Sequence, residues 1–192
     1  MALLRYRQQE TKGMLDIQKC CLVIVDVQGK LAELMYDRDV LFKNIRILIK
    51  AANILDIPLI WCQQRPEALG ETVPDIAELL LDNQQINKSC FSCCGKDQFK
   101  HRLDGLGRQQ VLLCGIEAHV CIYQTAVDLL RNDYEVNVVA DAISSRTPEN
   151  KQIAVSRMET EEVKISCTEM ALFELLRTAE HPQFKQIARL VK

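Results

Sequence analysis

Gln109-Gln110-Val111-Leu112-Leu113-Cys114-Gly115-Ile116-Glu117-Ala118-His119-Val120-Cys121 is the stretch whose reading decides the fold. Val111 to Cys114 form a short, continuous apolar run, as expected of a strand buried on both faces of a parallel sheet. Gly115 marks a turn. Beyond it Cys121, Ala126, Leu129 and Leu130 recur at helical spacing, so a helix opens near Cys121. A cysteine in the first turn of a helix meets unpaired N–H groups and the positive end of the dipole, which favour thiolate over thiol. Lowering a thiol pKa by about two units takes about 2.7 kcal/mol, within reach of a dipole and one nearby cation. The competing reading is a buried cysteine acting as a small hydrophobe.

Two further segments bear on that choice. Cys20-Cys21-Leu22-Val23-Ile24-Val25-Asp26-Val27-Gln28 reads as a buried strand that delivers a carboxylate at its C-terminal end. Gln84-Gln85-Ile86-Asn87-Lys88-Ser89-Cys90-Phe91-Ser92 reads as a weaker strand presenting a lysine. In open α/β sheets, sites form at the carboxyl ends of the strands. Singly, Asp26 is explained as a helix cap and Lys88 as a solvated charge. An acid, a base and a thiol at three strand ends are harder to explain that way.

The rest of the chain alternates in the same manner. Leu41, Ile45, Leu48, Ala52 and Leu55 mark one face of an amphipathic helix. Residues 57–62 read as the next strand, with Pro58 near its start. A polar loop from Gln63 to Thr72 follows, and a short helix after Pro74. Residues 97–106 read as helical and 134–140 as a strand. Thr147-Pro148 reads as an N-cap followed by proline at the first helical position, opening a helix to about Glu161. Residues 163–167 form the last strand, and either Ser166 or Thr168 caps the helix after it. A final helix follows Pro182. The expected fold is α/β, a Rossmann-like three-layer sandwich with a mainly parallel sheet of about six strands flanked by helices. A single domain spans 1–192, with 1–18 as an N-terminal extension.

Composition narrows the partners. A formal net charge of −2 offers no electrostatic reason for nucleic acid or an anionic membrane. No apolar run approaches the roughly 20 residues that span a bilayer. Nine cysteines, an odd number with adjacent pairs at Cys20-Cys21 and Cys93-Cys94, do not read as a secreted disulfide framework. A reducing, cytoplasmic setting fits. Arg5, Arg7 and Lys12 leave only a weak mitochondrial presequence as the alternative. Cys90, Cys93 and Cys94 with Cys114 lack the paired C-x-x-C spacing of a structural zinc site.

These segments, together with Asp141-Ala142-Ile143-Ser144-Ser145-Arg146 and Thr168-Glu169-Met170-Ala171-Leu172-Phe173-Glu174-Leu175-Leu176, resemble the isochorismatase-like cysteine hydrolases. That family includes nicotinamidases and carbamoylsarcosine amidohydrolases. The resemblance runs from about Cys20 to the C-terminus and is strongest to the isochorismatase domain-containing, hydrolase-like branch. It implies a catalytic triad of Asp26, Lys88 and Cys121. In the implied mechanism Asp26 takes the thiol proton, Cys121 attacks a carbonyl, and water resolves a thioester. It also implies an oxyanion hole from the backbone N–H groups of Glu117 and Cys121, with a cis peptide between Ile116 and Glu117. A homo-oligomer, a small-molecule substrate and no cofactor complete that picture.

Departures from the family limit the substrate. The Asp-x-His metal motif of nicotinamidases has no counterpart in Cys62-Gln63-Gln64-Arg65-Pro66-Glu67-Ala68-Leu69-Gly70, and His101, His119 and His181 lack ligand spacing. The expected site is therefore metal-free. True isochorismatases lack the cysteine, so Cys121 argues against that activity. Phe91, Trp61, Gln64 and His119 are candidates for the substrate pocket, with core packing or solvation as the competing readings. A Cys121–His119 pair is disfavoured because Asp26 and Lys88 already account for activation. The remaining alternative is a non-catalytic binding or assembly protein on the same fold.

Overall fold

The computed structural model describes residues 13–81 and 83–192. The basic stretch weighed as a presequence lies outside the described residues. From Gly13 onward the N-terminal extension packs onto the domain. Leu15 is buried, its N–H donates to Glu174 at 3.1 Å, and the side chain of Gln110 bonds both Asp16 N and Met14 O.

Strand β1 (Cys20–Val25) is followed by the short helix α1 (Gly29–Glu33) and the long α2 (Arg38–Ile54). Next come β2 (Leu59–Gln64), the single turns α3 (Pro66–Leu69) and α4 (Pro74–Ala77), and β3 (Gln85–Lys88). A 3-10 turn at Cys93–Gly95 leads into α5 (Asp97–Leu106) and β4 (Gln110–Ile116). A π-helical turn (Ala118–Ile122) then runs into α6 (Tyr123–Arg131). The chain ends with β5 (Glu135–Ser144), α7 (Pro148–Thr160), β6 (Lys164–Ser166), α8 (Thr168–Leu176) and α9 (Phe184–Leu190). The six strands form one sheet in the order β3-β2-β1-β4-β5-β6, every pairing parallel. The expected α/β architecture is the one observed.

Strand alternation sorts the side chains into two cores. Leu22, Ile24, Leu112 and Cys114 pack on one face with α2, α8 and α9. Cys21, Val23, Val25, Val111 and Leu113 pack on the other with α5, α6 and α7. Several expected details shift, and β5 runs on past residue 140 to Ser144. Strand β4 does not end at Cys114 but continues through Gly115 to Ile116. Gly115 has φ +121°, and a Cβ there would overlap the Val25 carbonyl of the neighbouring strand, so only glycine fits. Strand β2 reaches Gln64, so Gln63 and Gln64 are buried strand residues rather than loop positions. Neither Ser166 nor Thr168 caps α8: Asp141 Oδ1, from β5, accepts from both the N–H and the hydroxyl of Thr168 at 2.8 Å. The cap comes from another strand, which local spacing cannot show. Thr147 caps α7 as expected, accepting from Asn150 N with Pro148 in the first turn. Among the described residues no helix is long and apolar enough to cross a membrane.

Candidate active site

Asp26, Lys88 and Cys121 converge at the carboxyl end of the sheet. Asp26 follows β1 in the left-handed region at φ 56°, a conformation that Asp tolerates better than most residues. Its N–H still pairs with Cys62 O at 3.0 Å, so the strand leaves the sheet just as the side chain is delivered. Lys88 ends the edge strand β3. Its ammonium meets Asp26 Oδ2 at 2.6 Å, Gln64 Oε1 at 2.8 Å, Phe91 O at 3.1 Å and Cys90 O at 3.2 Å. Asp26 is 2% exposed and Lys88 3%. Two ions are kept out of water only when paired and hydrogen-bonded.

Cys121 lies in the π-helical turn after β4, 7% exposed, beside the Asp26 carboxylate. Lys88 occupies Oδ2, and no described group meets Oδ1 in full hydrogen-bond geometry. Burial pushes the Asp26 carboxyl above its usual value, with the Lys88 ammonium pulling back. Burial pulls the Lys88 ammonium down, but Cys93, Asp26 and Cys121 around it outweigh that and leave it raised. The Cys121 thiol is raised by burial first and then by the Asp26 charge, with Lys88 opposing. Desolvation therefore works against the thiolate here, opposing both the helix start and the Lys88 cation.

The peptide between Ile116 and Glu117 is cis. Glu117 O accepts from Val120 N at 3.0 Å and Ile122 N at 3.2 Å, building the π-helical turn that carries Cys121. The side chain of Glu117 turns away and pairs with Arg146 through Nε at 3.1 Å and backbone N at 3.2 Å. Its carboxylate thus ties the turn to the segment that follows β5, while its carbonyl builds the turn itself.

The four residues considered for the pocket separate. Phe91 is 54% exposed, and its backbone carbonyl accepts from Lys88. Trp61 does not join it. Because strand side chains alternate, Ile60 and Cys62 face the Cys121 side and Trp61 faces the other core, where its indole N–H bonds Thr72 Oγ1 at 2.9 Å. Gln64 is on the correct face, but its oxygen is held by Lys88 and its amide nitrogen by Ser89 O at 2.9 Å. His119 is half-buried, and its Nδ1 meets Ser145 Oγ at 2.9 Å, so its contact is to the end of β5 and not to Cys121. Alternation also splits the cysteine group, since Cys114 and Cys93 lie in opposite cores. No group of three or more His, Cys, Asp or Glu suited to a metal stands among the described residues.

Two supports escaped the sequence reading. Thr125 Oγ1, on α6, accepts from Cys93 N at 2.9 Å and holds the segment after Lys88. The side chain of Gln28 bonds the backbone of Gln64 at both N–H and C=O. A glutamine two residues past a strand-end acid is a visible feature, but the partner it will find is not.

The sequence profile of the isochorismatase domain matches residues 20–170. Isochorismatase domain-containing protein 2 of Bos taurus is 38% identical over 172 residues, covering 89% of this chain and 82% of the relative. A solved structure from Caenorhabditis elegans, described as MAR1 ribonuclease, superposes with a TM-score of 0.88 at 36% identity, covering 93% of this chain and 92% of that one. An octameric hydrolase of unknown specificity from Escherichia coli shares the fold at TM-score 0.88 and 21% identity, covering 93% of this chain and 89% of its own. With its sheet order, the cis peptide before the cysteine turn and the profile match across most of its length, the chain belongs to the isochorismatase domain family.

Proposed function

We propose that the protein is a cysteine hydrolase that cleaves a small amide or related C–N bond through a thioester. The observation that carries this reading is the buried Lys88–Asp26 pair at 2.6 Å with the Cys121 thiol beside the carboxylate. Asp26 takes the proton from Cys121 as sulfur forms a bond to the substrate carbonyl carbon. Collapse of the tetrahedral species breaks the C–N bond, and Asp26 hands its proton to the departing nitrogen. Asp26 then takes a proton from water, whose oxygen attacks the thioester. The acid leaves, and the thiol regains its proton. Lys88 stays charged throughout and stabilises whichever neighbour is anionic. The N–H groups of Glu117 and Cys121 receive the developing oxyanion.

A non-catalytic module on the same fold is the alternative, since fold does not fix function, and the C. elegans relative is described as a ribonuclease. Nucleic-acid binding draws on clustered positive charge, which a chain of net charge −2 does not supply in bulk. Burying an ion pair against a thiol is, for a mere binding module, a costly arrangement without benefit. The deciding experiment screens amides, ureides and a single-stranded RNA against wild type and Cys121→Ala, with thioester trapping by mass spectrometry. A substrate-dependent acyl adduct on Cys121 supports the hydrolase. RNA cleavage that survives Cys121→Ala rejects it.

Assembly into a homo-oligomer belongs to the same proposal. Leu34, Tyr36 and Val40 are exposed around the start of α2, an apolar group suited to burial between copies. Light scattering should give a multiple of the monomer mass.

A further inference from the structure

Lys88 has three N–H groups and four oxygens around it, three of them neutral: Gln64 Oε1 at 2.8 Å, Phe91 O at 3.1 Å and Cys90 O at 3.2 Å. Gln64 is the shortest of the three and the one supplied by a side chain. Its amide orientation is settled chemically, because an ammonium cannot accept a hydrogen bond. The oxygen must face Lys88, and Nε2 correspondingly donates to Ser89 O at 2.9 Å. Behind it, Gln28 Oε1 accepts from Gln64 N at 2.6 Å, while Gln28 Nε2 donates to Gln64 O at 3.1 Å and to Gly70 O at 2.6 Å. That side chain replaces the strand pairing that β1 gives up where Asp26 turns to φ 56°. Gln28, two residues after Asp26, thus pins the residue that holds Lys88.

We propose that Gln64 is the positioning residue for Lys88, clamped by Gln28, and that it keeps the ammonium in place while Asp26 changes charge. The assignment rests on the Asp26–Lys88–Cys121 reading above. When Asp26 accepts the thiol proton it becomes neutral, and the ion pair that fixed Lys88 loses most of its attraction. The amide oxygen does not titrate, so its hold on the ammonium is the same before and after the transfer. A carboxylate at this position would also hold Lys88, but it would add a negative charge beside Asp26 and Cys121 and raise both. A neutral acceptor avoids that penalty.

The test needs no substrate: the rate at which iodoacetamide alkylates Cys121, read by peptide mass spectrometry across pH, with thermal unfolding recorded on every variant. Gln64→Met, of similar length but lacking the acceptor, should slow alkylation about tenfold, the scale of one hydrogen bond to a charged group. In a Lys88→Met background the same change should alter the rate by less than about twofold, because the two residues act as a unit. Gln64→Glu keeps the acceptor and should move the pH profile upward by about one unit. An equal effect of Gln64→Met in both backgrounds overturns the proposal, as does no effect in the wild type or an unmoved profile in Gln64→Glu. Should Lys88→Met alone leave Cys121 alkylation unchanged, the triad reading itself falls and this role with it. Absence of amide turnover with the coupling intact would instead reject the hydrolase and leave the positioning role standing.

Discussion

The two ends of the sheet are built on opposite terms. At the carboxyl ends of β1, β3 and β4 an acid, a base and a thiol meet with almost no exposed surface. At the amino ends of β4 and β5 lies a cavity of about 400 Å³ lined by Phe99, Lys100, Leu103, Asp104 and Tyr134, where Tyr134 donates to Asp104 at 2.7 Å. The roomy end carries solvated charges and the crowded end carries desolvated ones. Room admits a molecule, but only desolvated, mutually dependent groups change its bonds. The amino-end cavity is therefore the control against which the carboxyl-end site is judged.

The sharpest way to break this contrast is to remove proton transfer at one end and a hydrogen bond at the other. Asp26→Asn should lower turnover of any amide substrate by about 10²–10⁴-fold, since asparagine cannot accept and return a proton. Tyr134→Phe should leave kcat/KM unchanged. Equal losses in the two variants would mean that the carboxyl end is not special.

Stability gives the next contrast. Lys88→Met leaves the Asp26 carboxylate buried alone and should cost about 3–5 kcal/mol in urea unfolding. Lys164→Met breaks an exposed pair with Glu135 at 2.8 Å and should cost about 1 kcal/mol or less. The sign with pH also follows. The folded Lys88 value is raised above 10.5, so the stability it contributes is fully present below that pH. It is lost as pH rises through the folded value, and Lys88→Met should flatten that alkaline loss.

Glycines extend the comparison to the backbone. Gly115→Ala would drive a Cβ into the Val25 carbonyl and should cost about 3 kcal/mol or more. Gly107, beside the amino-end cavity, has φ +62° with open space around its missing Cβ, and Gly107→Ala should cost about 1 kcal/mol. Similar melting shifts would remove the argument for close β1–β4 approach at the site.

Thiol reactivity gives the last contrast. Because Cys121 is raised by burial, its alkylation should climb about tenfold per pH unit from pH 7 to 9 with no plateau, reflecting its thiolate fraction. The exposed Cys167 should label readily at neutral pH, and buried Cys114 should label only on unfolding. A plateau for Cys121 below pH 8 would restore the preformed thiolate.

Sequence patterning was sufficient for much of this molecule. Apolar runs at 20–25 and 111–114, helical spacing at 41–55 and the Thr147-Pro148 start are local signals, and local geometry is what periodicity encodes. The same patterning, with the family resemblance, singled out Asp26, Lys88 and Cys121 as a candidate site, because strand ends in an open parallel sheet point to one edge. What the chain's order does not hold is which groups share a dielectric and which share a hydrogen bond. Trp61 and Gln64 sit near each other in β2, yet alternation places one against Thr72 and the other against Lys88. Asp141 caps a helix that begins at Thr168, and Gln28 repairs the pairing of a strand that is not its own. The setting of the Cys121 thiol is hidden from the sequence for the same reason. A helix start and a cation are visible in sequence, but the desolvation that opposes them exists only once the core on that face has closed around the thiol.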